Sequence, residues 1–395
     1  MAGLNCDDRG HRRCLATAFV PLWNRAAEWK RRLAMIRNAR TFLYLSVFYI
    51  EYDAYGKELL EALLDAQRRG VAVNLLIDGF GQRLGGVLMS AGQRRELRRD
   101  QVALQAAGGV VTFYRPSRFF QRALGGGQHV KIQVSEAGDA IFGSSNITQS
   151  SFEGWNEYSV AVRGPVVATL LESYGALGGL VDPAHVKQLG HAVAGGTDDL
   201  DLEYWFCNPN TGQGMLGPIG WDGPNEVTDR LVAMLDAATG EVLITSFYFK
   251  PVATLMDAVL RAARRGVHVE VHHSHRDALK ATDLAWIAAA VNYPRLLEAG
   301  VHLYENVHGE HSKIVVVDRA WAAFGTYNFE DAAHDRLAEA MLATRDRRAV
   351  EPALDIFDDL RRHPDNLRVT EQSFTQLPTR LKTRVARLGR FKRWM

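Results

Sequence analysis

The sequence predicts an α/β protein of two similar halves, each a mixed, mainly parallel sheet flanked by helices, packed about a pseudo-twofold axis. Three observations carry this prediction. A polar skeleton of His129, Lys131, Gly143, Ser144, Asn146 and Glu157 returns as His311, Lys313, Gly325, Thr326, Asn328 and Glu339, every member displaced by 182 residues. A run of apolar strand, helix, "RRGV" and second strand begins at 43 and again at 242. Finally, 395 residues are too many for one ordinary core.

Taken in order, residues 1–29 read as an N-terminal extension. Within it "CLATAFVPLW" (14–23), preceded by Arg12 and Arg13 and ended by Asn24 and Arg25, reads as the start of an amphipathic helix. It lacks the small-residue cleavage site of a signal peptide. The first domain spans 30–190, led in by the basic amphipathic helix "AEWKRRLAMIRNAR" (27–40). Next comes "LYLSVFYIEYDAYGKELLEALLDAQRRGVAVNLLID" from 43, where Leu59, Leu60, Leu63 and Leu64 recur at helical spacing. Gly70 fits the left-handed cap that ends such a helix before a strand. "AGGVVTFYR" (107–115) supplies a further helix end, glycine and strand. Residues 191–224 read as a linker, most clearly in the Gly-, Pro- and Asn-rich "NPNTGQGMLGPIGWDGPNE" (208–226). The second domain, 225–370, repeats the pattern with "VLITSFYFKPVATLMDAVLRAARRGVHVEVHHSH", in which Leu255, Val259, Leu260 and Gly266 take the matching places, and with "EAGVHLYEN" (298–306). Apolar strands flanking a helix imply a sheet covered on both faces. A basic tail, 371–395, closes the chain.

Composition narrows the function. With 47% hydrophobic and 23% charged residues the chain is globular, and a net charge of +2 makes nucleic acid a disfavoured partner. Three scattered cysteines, Cys6, Cys14 and Cys207, form neither a disulfide framework nor a metal motif and suggest a reducing compartment. No stretch approaches the ~18 apolar residues of a membrane span. Nothing in the spacing speaks to oligomeric state.

Duplicated cores usually repeat apolar positions and let polar ones drift; here the polar residues keep their spacing, which points to a shared site. In "HVKIQV" and "HSKIVVV" the period of two puts His and Lys on one strand face, opposite the apolar residues between them. If the halves meet about a twofold axis, two imidazoles and two ammoniums converge on one cleft. Lysines, hydroxyls and amides hold the non-bridging oxygens of a phosphate. One histidine can attack phosphorus while the other protonates the leaving alcohol. A glutamate accepting from each ring's second nitrogen would set its tautomer. This set requires no metal and no cofactor.

The H-x-K-x4-D pattern with trailing G-S/T-x-N resembles the signature of the phospholipase D superfamily, matched in full by His311, Lys313 and Asp318. "YDAYGKELLEALLDAQRRGVAVNLLIDGFG", "ITSFYFKP" and "LRAARRGVHV" resemble bacterial cardiolipin synthases in particular. The resemblance implies a phosphohistidine intermediate, metal-independent ping-pong transfer and one site shared by two halves. It assigns catalysis to His129, Lys131, His311, Lys313, Glu157 and Glu339, and phosphate binding to Ser144, Asn146, Thr326 and Asn328. By family tendency His129 is the nucleophile and His311 the acid. Glu136 and Asp318 are the structural motif acids, Glu136 standing where the family has Asp, with Asp139 three residues on. Further departures are Tyr327, Phe329 and Glu330 around the second Asn, and "LGGGQH" (124–129) in place of an upstream N-x-R. The activity implied is a phosphatidyltransferase acting on phospholipid, with a phospholipase D-type hydrolase as alternative and a nuclease behind both.

Other features have plainer readings. His268, His272, His273 and His275 could suggest a metal site, but neighbours on a strand face opposite ways and no Cys or paired carboxylate joins them, so they read as lining the cleft at a strand's C-terminal end. His308 reads as a loop residue beside the site, and Asp78 as a turn former. Phe119, Phe120 and Leu124 with Arg118 and Arg122 form either a lipid contact or a half-buried loop. "RLKTRVARLGRFKRWM" (380–395), with seven Lys or Arg and no acid, reads as an amphipathic anchor for an anionic membrane, with a disordered basic end as the alternative. The expected location is cytoplasmic, peripheral to the inner (cell) membrane.

Overall fold

The computed structural model describes residues 13–191, 199–211, 223–279 and 281–394. Local rules account for its helices. Ala54–Arg68 starts where the Asp53 carboxylate accepts from the Tyr55 and Gly56 amides, buries Leu59, Leu60 and Leu63, and ends before Gly70 at φ +92°. Ala253–Arg264 buries Leu255, Val259 and Leu260 and ends before Gly266 at φ +87°. In both halves the strand that follows lies parallel to the strand before: Phe42–Val47 beside Ala72–Asp78, and Glu241–Thr245 beside His268–Ser274. Each is extended by one more parallel strand, Val110–Tyr114 or His302–Asn306.

The two mixed sheets in similar halves match the expectation, but the balance within them differs. Parallel pairing is confined almost entirely to those three strands of each half. In the first half Ile132–Ser135, Asp139–Gly143 and Ser159–Arg163 add antiparallel, as do Ile314–Val317, Trp321–Gly325 and Leu337–Thr344 in the second. The cause is connection length: "SEAGD" and its counterpart are tight turns, and a tight turn can join only antiparallel neighbours.

Residues outside the expected domains also carry structure. The stretch 14–23 is not helical. Arg13–Ala16 pairs with Leu200–Cys207 in the second half's sheet, and Ala18–Leu22 pairs with Ser159–Arg163 at the edge of the first half's sheet. Pro21, hostile to a helix interior, is tolerated on an edge strand. Leu200–Cys207 lies inside the expected linker yet forms a strand that also pairs with Leu337–Thr344. The tail is ordered too, as helices Glu371–Thr375 and Thr379–Leu388 and a 3-10 turn Gly389–Trp394.

The sheets face each other across one apolar layer. Tyr44, Val134, Phe142 and Val160 from the first half meet Phe324, Leu342 and Phe357 from the second, and Phe324 takes Phe19 and Tyr158 edge-on. The outer faces have separate cores, one around Trp29, Leu59 and Leu75 and one around Leu231, Val259 and Val271. The halves therefore share a core.

Candidate active site

Each histidine sits where the two halves exchange backbone hydrogen bonds. The His129 amide donates to the Ala338 carbonyl at 2.8 Å, and the His311 amide donates to the Asn156 carbonyl at the same distance. Ala338 and Asn156 immediately precede Glu339 and Glu157. The ladder thus delivers a glutamate from one half to the histidine of the other. His311 Nδ1 lies 2.8 Å from Glu157 Oε2, and His129 Nδ1 lies 3.1 Å from Glu339 Oε1 and 3.0 Å from the Thr326 carbonyl. A carbonyl only accepts, so His129 Nδ1 carries a proton and its lone pair is on Nε2.

The hydroxyls do not stand free for phosphate. Ser144 Oγ donates to Glu157 Oε2 and Thr326 Oγ1 to Glu339 Oε2, both at 2.5 Å. Each also accepts from a backbone amide, that of Tyr158 or Ala340. In the structure Ser144 and Thr326 hold the glutamates that hold the histidines. Ser151 Oγ adds a second hydrogen bond to Glu157, at 2.7 Å. Asn146 and Asn328 are buried with side-chain carbonyl oxygens that lack a partner in the described structure. Lys131 and Lys313 each donate to the carbonyl of their own motif histidine.

Burial and like charge tune these groups. His129 is held well below the usual imidazole range, first by burial and then by Lys131, Lys313 and His311. His311 falls to about 4 through burial, with Glu157 opposing and Lys313 adding to the fall. Burial brings Lys131 down to about 7 and Lys313 to about 8, although the glutamates pull the other way. The two glutamates differ. Burial alone would raise Glu157, but His311, Lys313 and Ser144 together outweigh it and leave the carboxyl at about 2, whereas burial prevails at Glu339 and lifts it well above the usual range.

The motif acids lie away from the cleft. Asp318, at φ +51°, accepts from the backbone amides of Thr239, Gly240 and Glu241. Glu136 accepts from the Arg40 amide at 2.6 Å, and Asp139 pairs with Arg163. The histidines of 268–275 do not line the cleft together. His272 bonds Glu270, which Arg361 also holds, and stacks on Tyr304; His273 faces the Tyr293 hydroxyl at 3.0 Å. Among the described residues no three His, Cys, Asp or Glu side chains form a group that could hold a metal. His308 pairs with Asp365. Cys14 and Cys207 are buried and free, and Cys6 lies outside the described residues.

Several residues around the cleft were not singled out as site residues from sequence. Phe48 meets His129 edge-on at 4.7 Å and Phe247 meets His311 at 4.8 Å, with Trp155 beside the same ring. Both phenylalanines stand in matching "FY" steps of the repeat, a signal that could have found them. Asp78 is more than a turn former. It caps the next helix through the Gly81 amide and accepts from the Gln128 amide at 2.8 Å, fixing the residue before His129. Buried Lys250 pairs with Glu330, which takes the Asn328 amide.

Two α/β halves enclosing a paired His-x-Lys cleft define the phospholipase D class of protein. The chain belongs to the family described as "Cardiolipin synthase, PLD-like domain", whose model matches residues 33–174 and 231–361. It is 28% identical over 334 residues to a cardiolipin synthase of Geobacillus kaustophilus, covering 80% of this chain and 60% of that protein. It is 27% identical over 332 residues to cardiolipin synthase B of Escherichia coli, covering 79% and 72%. The chain thus spans about three-fifths of the length of the first of these relatives. In fold it resembles a phosphatidylserine synthase of Haemophilus influenzae, with TM-score 0.71 and 15% identity over 95% of this chain and 94% of that one. The polyphosphate kinase of Porphyromonas gingivalis has TM-score 0.57 at 13% identity, covering 97% of this chain and 53% of its own. No helix among the described residues is long and apolar enough to cross a membrane.

Proposed function

We propose that the protein is a phosphatidyltransferase of phospholipid synthesis, cardiolipin synthase-like, that moves a phosphatidyl group from one phospholipid to a lipid or glycerol hydroxyl. The observation that carries this reading is the reciprocal pairing of each histidine with the other half's glutamate, beside two buried lysines. His129, with its Nε2 lone pair free, attacks phosphorus, and the donor's P–O bond breaks as His311 gives its Nε2 proton to the leaving alcohol. Burial holds His311 near 4 even beside ionised Glu157, so the proton it gives comes with the negative charge of the bound phosphodiester, which with Glu157 favours the imidazolium that this step needs. In the second step His311 takes the proton of the incoming hydroxyl, whose oxygen attacks phosphorus, and the N–P bond to His129 breaks. Lys131, Lys313, Asn146 and Asn328 hold the phosphate oxygens while charge develops on them. A transferase must exclude water and position the alcohol, and burial of the set supports that.

Phosphatidylglycerol vesicles should yield cardiolipin and free glycerol, with phosphatidic acid a minor product by mass spectrometry. Acid quench should trap phosphate on His129, and His129→Ala or His311→Ala should abolish turnover without unfolding the chain. Phosphatidic acid as main product, with acceptor lipid plentiful, would make the enzyme a phospholipase D-type hydrolase instead.

A further inference from the structure

The two halves differ in what covers the helix after their second strand. In the second half this is Leu284–Ala290, whose Trp286, Ile287 and Ala288–Ala290 are buried. Tail helix Thr379–Leu388 shares its core through Leu381 and Val385, Arg384 pairs with Asp283, and Gly389 lies against Val291. In the first half the corresponding helix is Gly79–Leu88, and only one side of it is packed. Gly81 and Gly85 lie so close to Phe48 and Tyr49 that a Cβ on either would come within 2.5 Å of a ring atom. The other side is bare: Leu84 is 48% exposed, Val87 78% and Leu88 46%. Beside it, Phe119 is 68% and Phe120 58% exposed.

Cations surround these apolar residues. Residues 79–125 hold eight arginines and only two acidic residues, on a chain whose formal net charge is +2. Both acids, Glu96 and Asp100, are engaged by Arg99. A groove of about 510 Å³ is lined by Phe80, Arg83, Phe113, Arg115, Phe119 and Arg122. A second, of about 450 Å³, shares Phe113 and Arg115 with it and continues past Arg94, Arg98 and Val102.

We infer that this face, formed by Gly79–Leu88, Phe113 and Phe119–Ala123, docks onto an anionic lipid bilayer. Exposed Leu, Val and Phe enter the headgroup boundary while the arginines around them meet lipid phosphates. A second copy of the chain fits poorly, because a twofold contact through this face sets its arginines against their own copies. Nucleic acid fits less well, since only Phe113, Phe119 and Phe120 offer rings to stack on and the aliphatic side of the face, Leu84, Val87 and Leu88, would stay in water. The face also leads to the cleft. Gly126 lines the first groove three residues before His129, and the Phe48 ring touches both Gly81 and His129. The membrane contact therefore belongs to the first half rather than to the tail. The inference rests on the proposed function only in taking phospholipid as what is turned over beneath this face.

The test is sedimentation of the full chain with vesicles of phosphatidylglycerol and phosphatidylcholine in equal parts, and with phosphatidylcholine alone. Val87→Ser with Phe119→Ser and Phe120→Ser should weaken binding to the anionic vesicles about tenfold or more, with unchanged circular dichroism. Arg83→Glu with Arg118→Glu should do the same and flatten the salt dependence. Hydrolysis of soluble bis(p-nitrophenyl) phosphate should match the parent's in both. Parental vesicle affinity in either folded variant overturns the inference. So does a parent chain that ignores anionic vesicles but self-associates, or binds a single-stranded oligonucleotide, through this face. A chain that binds vesicles through this face yet turns over no phosphatidylglycerol leaves the inference standing and removes the proposed function.

Discussion

At the scale of single residues, burial dominates the chemistry of the cleft. A lysine taken out of water loses its proton more readily, so burial brings Lys131 and Lys313 down to about 7 and about 8 from the ordinary lysine value of 10.5. The form that holds phosphate is the ammonium, and it is present below these values and lost as pH rises through them. Hence kcat/KM for a soluble diester should fall on the alkaline side from about pH 7 to 8. An alkaline limb that begins only near the ordinary lysine value of about 10 would remove the buried lysines from phosphate binding. The histidine and lysine positions were readable from spacing alone. The contacts of Ser144 and Thr326 were not, because a hydroxyl in a motif looks the same whether it donates to a ligand or to a carboxylate that the fold brings beside it. Only the 2.5 Å contacts with Glu157 and Glu339 distinguish the two.

At the scale of elements, period and capping identified the helices, while the partners of each element came from elsewhere in the chain. The tail is the clearest case. Its seven cations and apolar stripe describe a helix that needs an apolar surface, and a membrane and a protein core satisfy that need equally. Here the surface is the second half: Leu381 and Val385 are buried in its outer core, Lys392 donates to the Pro251 carbonyl and Arg393 pairs with buried Asp335. Leu381 and Val385, packed in that core, are therefore not the residues that would lie in a bilayer. Leu381→Ala should cost about 2–5 kcal/mol of stability, read from urea unfolding. A change near zero would mean that the tail helix is not part of the folded core.

At the scale of the molecule, the site exists only because the halves are joined. Each glutamate serves the histidine of the opposite half, and the apolar layer between the sheets keeps that register. A change in the first half should therefore act on the second half's proton transfer. Glu157→Gln should slow transfer from a donor with an alkyl leaving group about 10–100-fold, by weakening support for the His311 imidazolium. A p-nitrophenyl leaving group departs without a proton, so its turnover should change much less. Equal losses with both substrates would show that Glu157 shapes the cleft without supporting the acid.

Spacing by itself determined the two halves, the paired histidines, lysines and glutamates, and the glycines of both motifs, because polar groups kept at one offset of 182 residues are constrained by shared chemistry. Tertiary structure alone decided which glutamate meets which histidine and why those glycines recur. A Cβ on Gly143 would lie 2.4 Å from the Ser159 Cα, and one on Gly325 would lie 2.3 Å from the Ala340 carbonyl oxygen. It also decided that residues 13–16 and 18–22 close an edge of each sheet, that 200–207 pairs inside one of them, and that the tail covers one helix and leaves its counterpart bare. A sequence states what each segment can bury. Which partner buries it depends on the surfaces left over once every other segment has packed.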